Sequence, residues 1–252
     1  MHAPWPAPGT PIDYSHLSVN PTSLECPPPA VAATAEAPPI ARTVATPGPG
    51  IEREPRASEP MMAVGQGFTL VNAYRATGWP GTADEVWLRP TVVGRLVAAR
   101  AALPSGFGLA IYDGWRSPET VRALYAHYYG NGSTLDPGFL ADPDRPGPPP
   151  PHLTGAAVDL TLTWSGHALS LGTPFDEFND RAHLASLEAA DEGPDRVARD
   201  LRRVLHAAMT GAGFAPFDAE WWHFSWGDDD WARWWGLDRA FFGVTEPPQA
   251  HR

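Results

Sequence analysis

Lysine is absent from this 252-residue chain, and all 18 basic residues are arginine. Against 29 acidic residues they leave a formal charge of −11. A surface so short of positive charge argues against nucleic acid or an anionic membrane as a partner. Cysteine is nearly absent too. Cys26 stands alone, which excludes an intrachain disulfide and any multi-cysteine zinc or iron–sulfur site. No apolar run approaches the ~18 residues of a membrane-spanning helix. Residues 1–30 lack the basic start and apolar stretch of a secretory signal. The expectation is a soluble, cytoplasmic protein. The missing lysine, with the load of Ala, Pro and Gly, fits the codon bias of a GC-rich genome and carries no functional message. Hydrophobic residues make up 43%, enough for a real core.

Proline divides the chain. Residues 1–60 hold 14 of the 30 prolines, and Cys26 to Pro60 has few large apolar residues. Such a stretch buries too little surface to offset the entropy of ordering, so residues 1–62 are expected to be a disordered Pro/Ala-rich tail and 63–252 the folded domain. Met61 and Met62 stand where the pattern turns globular, as a start codon there would place them. Beyond them, Phe68 to Val71, Gly108 to Tyr112, Ala157 to Trp164 and Trp221 to Trp226 read as strands. Thr91 to Leu103, Pro118 to about Tyr129 and Asp195 to Ala212 read as helices, the second capped by Ser117. Residues 130–151 form a long loop ending in four prolines. Strands mixed with helices, without a βαβ rhythm, predict an α+β fold with a mainly antiparallel sheet flanked by helices.

His152 and Asp159 flank the small-residue turn His-Leu-Thr-Gly-Ala-Ala-Val-Asp. Strand alternation sets Asp159 on the face opposite Val158, Leu160 and Leu162, and Gly155 lets the chain fold back. A converging His and carboxylate suit a divalent metal, although a structural hydrogen bond would use the same pair. Glu220-Trp221-Trp222-His223 adds two polar groups among large aromatics, a costly placement unless something pairs them. In a regular strand Glu220 and His223 face opposite sides, so a bend or a helical turn is required. His152, Asp159 and His223 then form a three-ligand set with a fourth position for water. Nitrogen and oxygen donors without thiolate suit zinc, one per chain, which would bring that water's pKa to about 7. Glu220 beside the metal would take the proton. Arg116, at the end of Ile-Tyr-Asp-Gly-Trp-Arg, is a solvent-facing arginine, a partner of Asp113 or a fixed cation for a developing oxyanion.

Tyr112 to Arg116, His152 to Leu162 and Glu220 to Phe224 together resemble the three motifs of the VanX-type zinc D-alanyl-D-alanine dipeptidases. Gly172-Thr173-Pro174-Phe175-Asp176 resembles a fourth family segment. The resemblance spans about residues 68–235. His-x6-Asp with Glu-x-x-His is shared with related D,D-carboxypeptidases, and the Trp-Trp and the Phe-Asp after Thr-Pro favour the dipeptidase branch. The resemblance implies a D,D-peptidase/hedgehog-like fold. It implies zinc on His152, Asp159 and His223, Glu220 as catalytic base and Arg116 at the tetrahedral intermediate. Asp176 would hold the free ammonium of a small dipeptide substrate. It also implies a place in peptidoglycan chemistry, in wall recycling or in resistance to vancomycin-type antibiotics.

One position departs from the family. Pro150 stands where a serine usually precedes the first ligand histidine, which removes a hydroxyl and stiffens the loop. The alternatives are a D,D-carboxypeptidase or peptidoglycan amidase on the same metal site, or a non-catalytic zinc domain repurposed in secondary metabolism. His127, His167, His183 and His206 have no matching partner motif and read as ordinary histidines. Asp228-Asp229-Asp230 reads as a solvated helix start. Trp231, Trp234 and Trp235 read as core or dimer contacts, which leaves a homodimer open.

Overall fold

The alternating segment AVDLTLTW forms the central strand of a six-stranded sheet. The structure, a computed structural model, describes residues 10, 12–28, 37–41, 51–53, 59–130, 133, 135 and 139–248. In chain order its elements are β1 (Glu52–Arg53), β2 (Met62–Ala63), β3 (Thr69–Leu70), α1 (Ala73–Ala76), β4 (Trp87–Leu88), α2 (Pro90–Ala101) and β5 (Phe107–Asp113). Then follow α3 (Pro118–Tyr129), β6 (Ala157–Trp164), β7 (His167–Ala168), α4 (Gly193–Gly211), β8 (Ala215–Phe217), β9 (Glu220–Ser225), α5 (Asp229–Trp234) and β10 (Arg239–Ala240). The main sheet runs β3-β5-β6-β9-β8, with β7 also on β6. Only its β3–β5 pairing is parallel. The α+β class with a mainly antiparallel sheet is therefore the architecture of the chain.

Local chemistry accounts for the element ends. Proline opens α2 and α3 at positions whose N–H needs no helical partner. The Ser117 side chain accepts from Thr120 N at 3.0 Å, the expected cap. Ser165 and Gly166, at φ 51° and 81°, form the two-residue turn that joins β6 to β7. Along α4, Leu201, Val204, Leu205 and Ala208 bury one stripe against α2 and the sheet. Arg202 on the same helix is also buried. Its guanidinium donates to the carbonyls of Leu171, Arg181 and His183, and so pins the loop that carries the 172–176 segment. Burial, and next the positive charge of Arg181, draw its pKa down to about 9.

Two expectations are corrected. Residues 12–28 depart from a solvated extension: Tyr14 is 1% exposed, and Val19 forms a bridge to Leu169. The reason lies in Ile12, Tyr14, Leu17, Val19 and Leu24, apolar side chains spaced ahead of the proline run that pack on the core. Ile40 is buried as well. The rest of the Cys26–Pro60 stretch lies largely outside the described residues. The acidic run is the second correction. Asp228 is buried as the cap of α5, where its Oδ1 accepts from Trp231 N and Ser225 Oγ, each at 2.8 Å. Trp231 joins the core, whereas Trp235 is exposed.

Candidate active site

Three neighbouring strands build the floor of the site. Asp159 on β6 lies directly opposite His223 on β9 and, on its other side, Asp113 on β5. Directly opposite residues share a face, so their side chains meet. Asp113 reaches that row because the β5–β6 register shifts between Ile111 and Asp113, a bulge that re-aims the strand end. The bend demanded between Glu220 and His223 is also present. Pro216 pairs with Phe224 but Phe217 pairs with Glu220, so the β9 residues between them have no β8 partner. That irregularity turns Glu220 back, and its Oε2 lies 3.9 Å from His223 Nδ1.

His152 arrives from the 3-10 turn Pro151–Thr154, which ends at Gly155 with φ 69°. This left-handed position favours glycine, and a Cβ there would meet Met61 Sδ at 2.5 Å. His152 Nδ1 lies 2.7 Å from Gly114 O. A carbonyl only accepts, so Nδ1 carries the proton and Nε2 presents a lone pair. Burial lowers the His152 pKa to about 4 and keeps the ring neutral. Its Nε2 is 3.2 Å from His223 Nδ1 and 3.3 Å from Asp159 Oδ2. Asp159 Oδ1 is 3.0 Å from His223 Nδ1. One ligand atom from each of the three residues thus lies within 4.8 Å of the others, all buried. A neutral imidazole lone pair beside a second imidazole and a carboxylate is a donor set that fits a divalent cation. The Gly114 carbonyl is the outer partner that orients such a ligand.

Arg116, His152, Asp159, Asp176, Glu220 and His223 all line one cavity of about 280 Å³, so the fold brings every expected site residue together. This volume is at the small end of ligand pockets. Arg116 is buried, with Nε 3.0 Å from Asp113 Oδ2 and Nη2 3.2 Å from Asp159 Oδ2. Burial alone would favour its neutral form, but Tyr74, Asp113, Asp159 and Asp176 hold it charged. Nη1 takes no hydrogen bond among the described residues. Arg116 is thus paired with Asp113 and lines the cavity. Burial raises Glu220 well above the usual carboxylate range, and the charges of Asp159 and Asp176 add to the shift. Burial also raises Asp176 to about 8.

Tyr74 is a site residue that the sequence reading missed. Its hydroxyl donates to Asp176 Oδ2 at 2.8 Å and accepts from Arg116 Nη2 at 3.1 Å. It comes from the four-residue α1, 42 positions before Arg116 and 102 before Asp176, so no local spacing signals it. Asp113 appeared there only as a bland partner of Arg116, yet it also lies 3.4 Å from His152 Nδ1. The Trp-Trp of β9 holds the segment bearing Asp176. Trp221 Nε1 donates to Thr173 Oγ1 at 2.9 Å, and Trp222 meets the Phe175 ring edge-on at 5.6 Å. Pro150 is buried at the wall of the same cavity. The loop after α3 adds Phe139, Leu140 and Arg145 to the lining.

Comparison with known proteins points the same way. Residues 90–246 match the Peptidase M15 family, described as D-ala-D-ala dipeptidase. A D-alanyl-D-alanine dipeptidase of Synechocystis is 36% identical over 175 residues, covering 58% of this chain and 71% of the relative. The protein of the same description in Escherichia coli is 34% identical over 121 residues, covering 48% and 55%. That of Enterococcus faecium is 27% identical over 146 residues, covering 51% and 67%. The chain thus spans between about half and seven-tenths of these relatives.

Proposed function

Because the chain belongs to the Peptidase M15 family of D-Ala-D-Ala dipeptidases, we propose that it is a zinc-dependent hydrolase of D-alanyl-D-alanine or a similar D,D-dipeptide. The observation that carries this reading is the convergence of a buried His–Asp–His group, a buried glutamate and a buried arginine on one small cavity. His152, Asp159 and His223 would hold the metal. When bound, zinc would supply a Lewis acid that acidifies water and polarises the scissile carbonyl. Glu220 takes the proton from the attacking water on its carboxylate and returns it to the leaving amine. The free Nη1 of Arg116 faces the carbonyl oxygen as it gains charge, an effect commonly worth about 3–4 kcal/mol. Asp176, held by the Tyr74 hydroxyl, receives the substrate ammonium. A carboxylate lining the same small cavity as the metal group would measure the distance to the scissile bond and so favour dipeptides over longer chains.

The test compares free D-Ala-D-Ala with its N-acetyl form and with a tripeptide ending in D-Ala-D-Ala. Acetylation removes the charge and adds bulk at Asp176. A truncated buried charge pair costs about 2–5 kcal/mol, so kcat/KM should fall roughly 30-fold or more. Faster cleavage of either extended substrate would replace this reading with a D,D-carboxypeptidase. Asp176→Asn should weaken the free dipeptide and leave the blocked one little changed. The sign of the pH effect follows from the raised pKa. With Asp176 near 8, the ionised carboxylate, and with it affinity for an ammonium, grows as the pH rises towards 8. Above that, the substrate amine, with a pKa of about 7.7–8.0, loses its own charge. KM for the free dipeptide should therefore fall towards pH 8 in the wild type and vary less in Asp176→Asn.

Pro150 gives a smaller expectation. Pro150→Ser returns a hydroxyl to the cavity wall, and kcat/KM for D-Ala-D-Ala should rise when measured beside the wild type. An unchanged or lower value would mean that the proline costs nothing with this substrate.

A further inference from the structure

Residues 12–28 run as a strap behind the cavity. The strap is tethered at three places. His127 Nε2 donates to Thr10 O at 2.8 Å just before it. Val19 N donates to Ala168 O at 2.9 Å and Ser170 N donates to Val19 O at 2.8 Å, which extends the β7 edge. Trp164 Nε1 donates to Cys26 O at 2.9 Å. Between the first two tethers the strap drives Tyr14 into the core, where its hydroxyl accepts from Trp79 Nε1 at 2.8 Å.

Both ring neighbours of Tyr14 lead to one carboxylate. Its ring meets Tyr74 edge-on at 6.3 Å and Phe175 edge-on at 5.4 Å. Tyr74 donates to Asp176 Oδ2, and Phe175 precedes Asp176 in the chain. Asp176 itself has φ 55°, a left-handed backbone that a non-glycine residue keeps only when its surroundings hold it. Those surroundings are largely the Phe175 ring, set among Tyr14, Tyr74, Tyr112 and Trp222. Of these four, Tyr14 and Tyr74 precede the stretch that matches the family, and Tyr14 alone belongs to the strap. We propose that the 12–28 strap is an integral support behind the ammonium subsite, with Tyr14 a positioning residue that sets Asp176 through Tyr74 and Phe175. The inference rests on the reading of Asp176 as the ammonium anchor.

A strap with this role acts on substrate binding and leaves the metal and the base in place. The test uses the full-length, metal-loaded protein with free and N-acetyl D-Ala-D-Ala. Tyr14→Leu keeps apolar bulk but loses both ring edges. Tyr14→Phe keeps the ring and drops only the hydroxyl. Val19→Pro removes the N–H that joins the strap to β7, far from the chemistry. A misplacement of about 1 Å can cost on the order of 10²-fold. KM for the free dipeptide should therefore rise about tenfold in Tyr14→Leu and in Val19→Pro, with kcat and zinc content near wild type. Tyr14→Phe should stay close to wild type, and the N-acetyl dipeptide should respond little to any of the three. A lower melting temperature with unchanged KM in Val19→Pro would overturn the proposal even if Tyr14→Leu did not fold. Asp176→Asn separates the two readings. If it raises KM while the strap variants do not, the strap inference fails alone. If it leaves KM unmoved, the anchor reading fails first.

Discussion

Glu220→Gln is expected to keep the metal and the fold while losing roughly 10²–10⁴-fold in kcat on D-Ala-D-Ala, the usual contribution of a positioned base. The amide is nearly isosteric with the carboxylate but cannot accept the proton. The fold makes the assignment selective. Among the buried carboxylates of the cavity, Asp159 is committed to the two histidines and Arg116, and Asp176 to Tyr74. Glu220, with Oε2 3.9 Å from His223 Nδ1, stands beside the donor set without belonging to it. Removing a buried charge also relieves a desolvation cost, so the variant should melt no lower than the wild type. Elemental analysis, a melting curve and single-substrate kinetics check the three parts. If Glu220→Gln turned over the dipeptide within a few-fold of wild type, another group would be the base.

Loss of a ligand histidine should abolish activity through the metal. Protein purified without added metal is expected to carry about one zinc per chain, and His152→Ala or His223→Ala almost none. The three donor atoms share one small volume, and removing either imidazole leaves two ligands and a hole. A ligand that binds only the folded state stabilises it, so a chelator should lower the melting temperature of the wild type. The same chelator should barely move the variants. Added zinc should restore the chelated wild type and not the variants. Stoichiometric zinc in the double variant would place the metal elsewhere and refute the ligand assignment.

Short-range signals were the legible part of this chain. Ser117-Pro118 announced a capped helix and the alternation of Ala157 to Trp164 a strand, and each formed within a residue or two of expectation. The motifs His-x6-Asp and Glu-x-x-His marked residues that do share a cavity. The tail was read less well, because overall proline content masked the apolar spacing of Ile12, Tyr14, Leu17 and Val19. The acidic run was misread because two buried carboxylates and an exposed one look alike in sequence. Only the Ser225 hydroxyl and the Trp231 amide distinguish Asp228.

By itself, then, the sequence determined the element types, the polar face of β6 and the residue types available for metal chemistry. These depend on interactions a few residues apart, where spacing along the chain is distance in space. Tertiary structure alone decided that Asp159 faces both His223 and Asp113, through cross-strand register and a bulge. It alone brought Tyr74 to Arg116 and Asp176, and set Tyr14 behind both Tyr74 and Phe175. Those contacts join residues tens to more than a hundred positions apart. Each exists because burying aromatic and apolar surface offsets the entropy of closing the intervening chain, a balance struck over the whole core and written in no single segment.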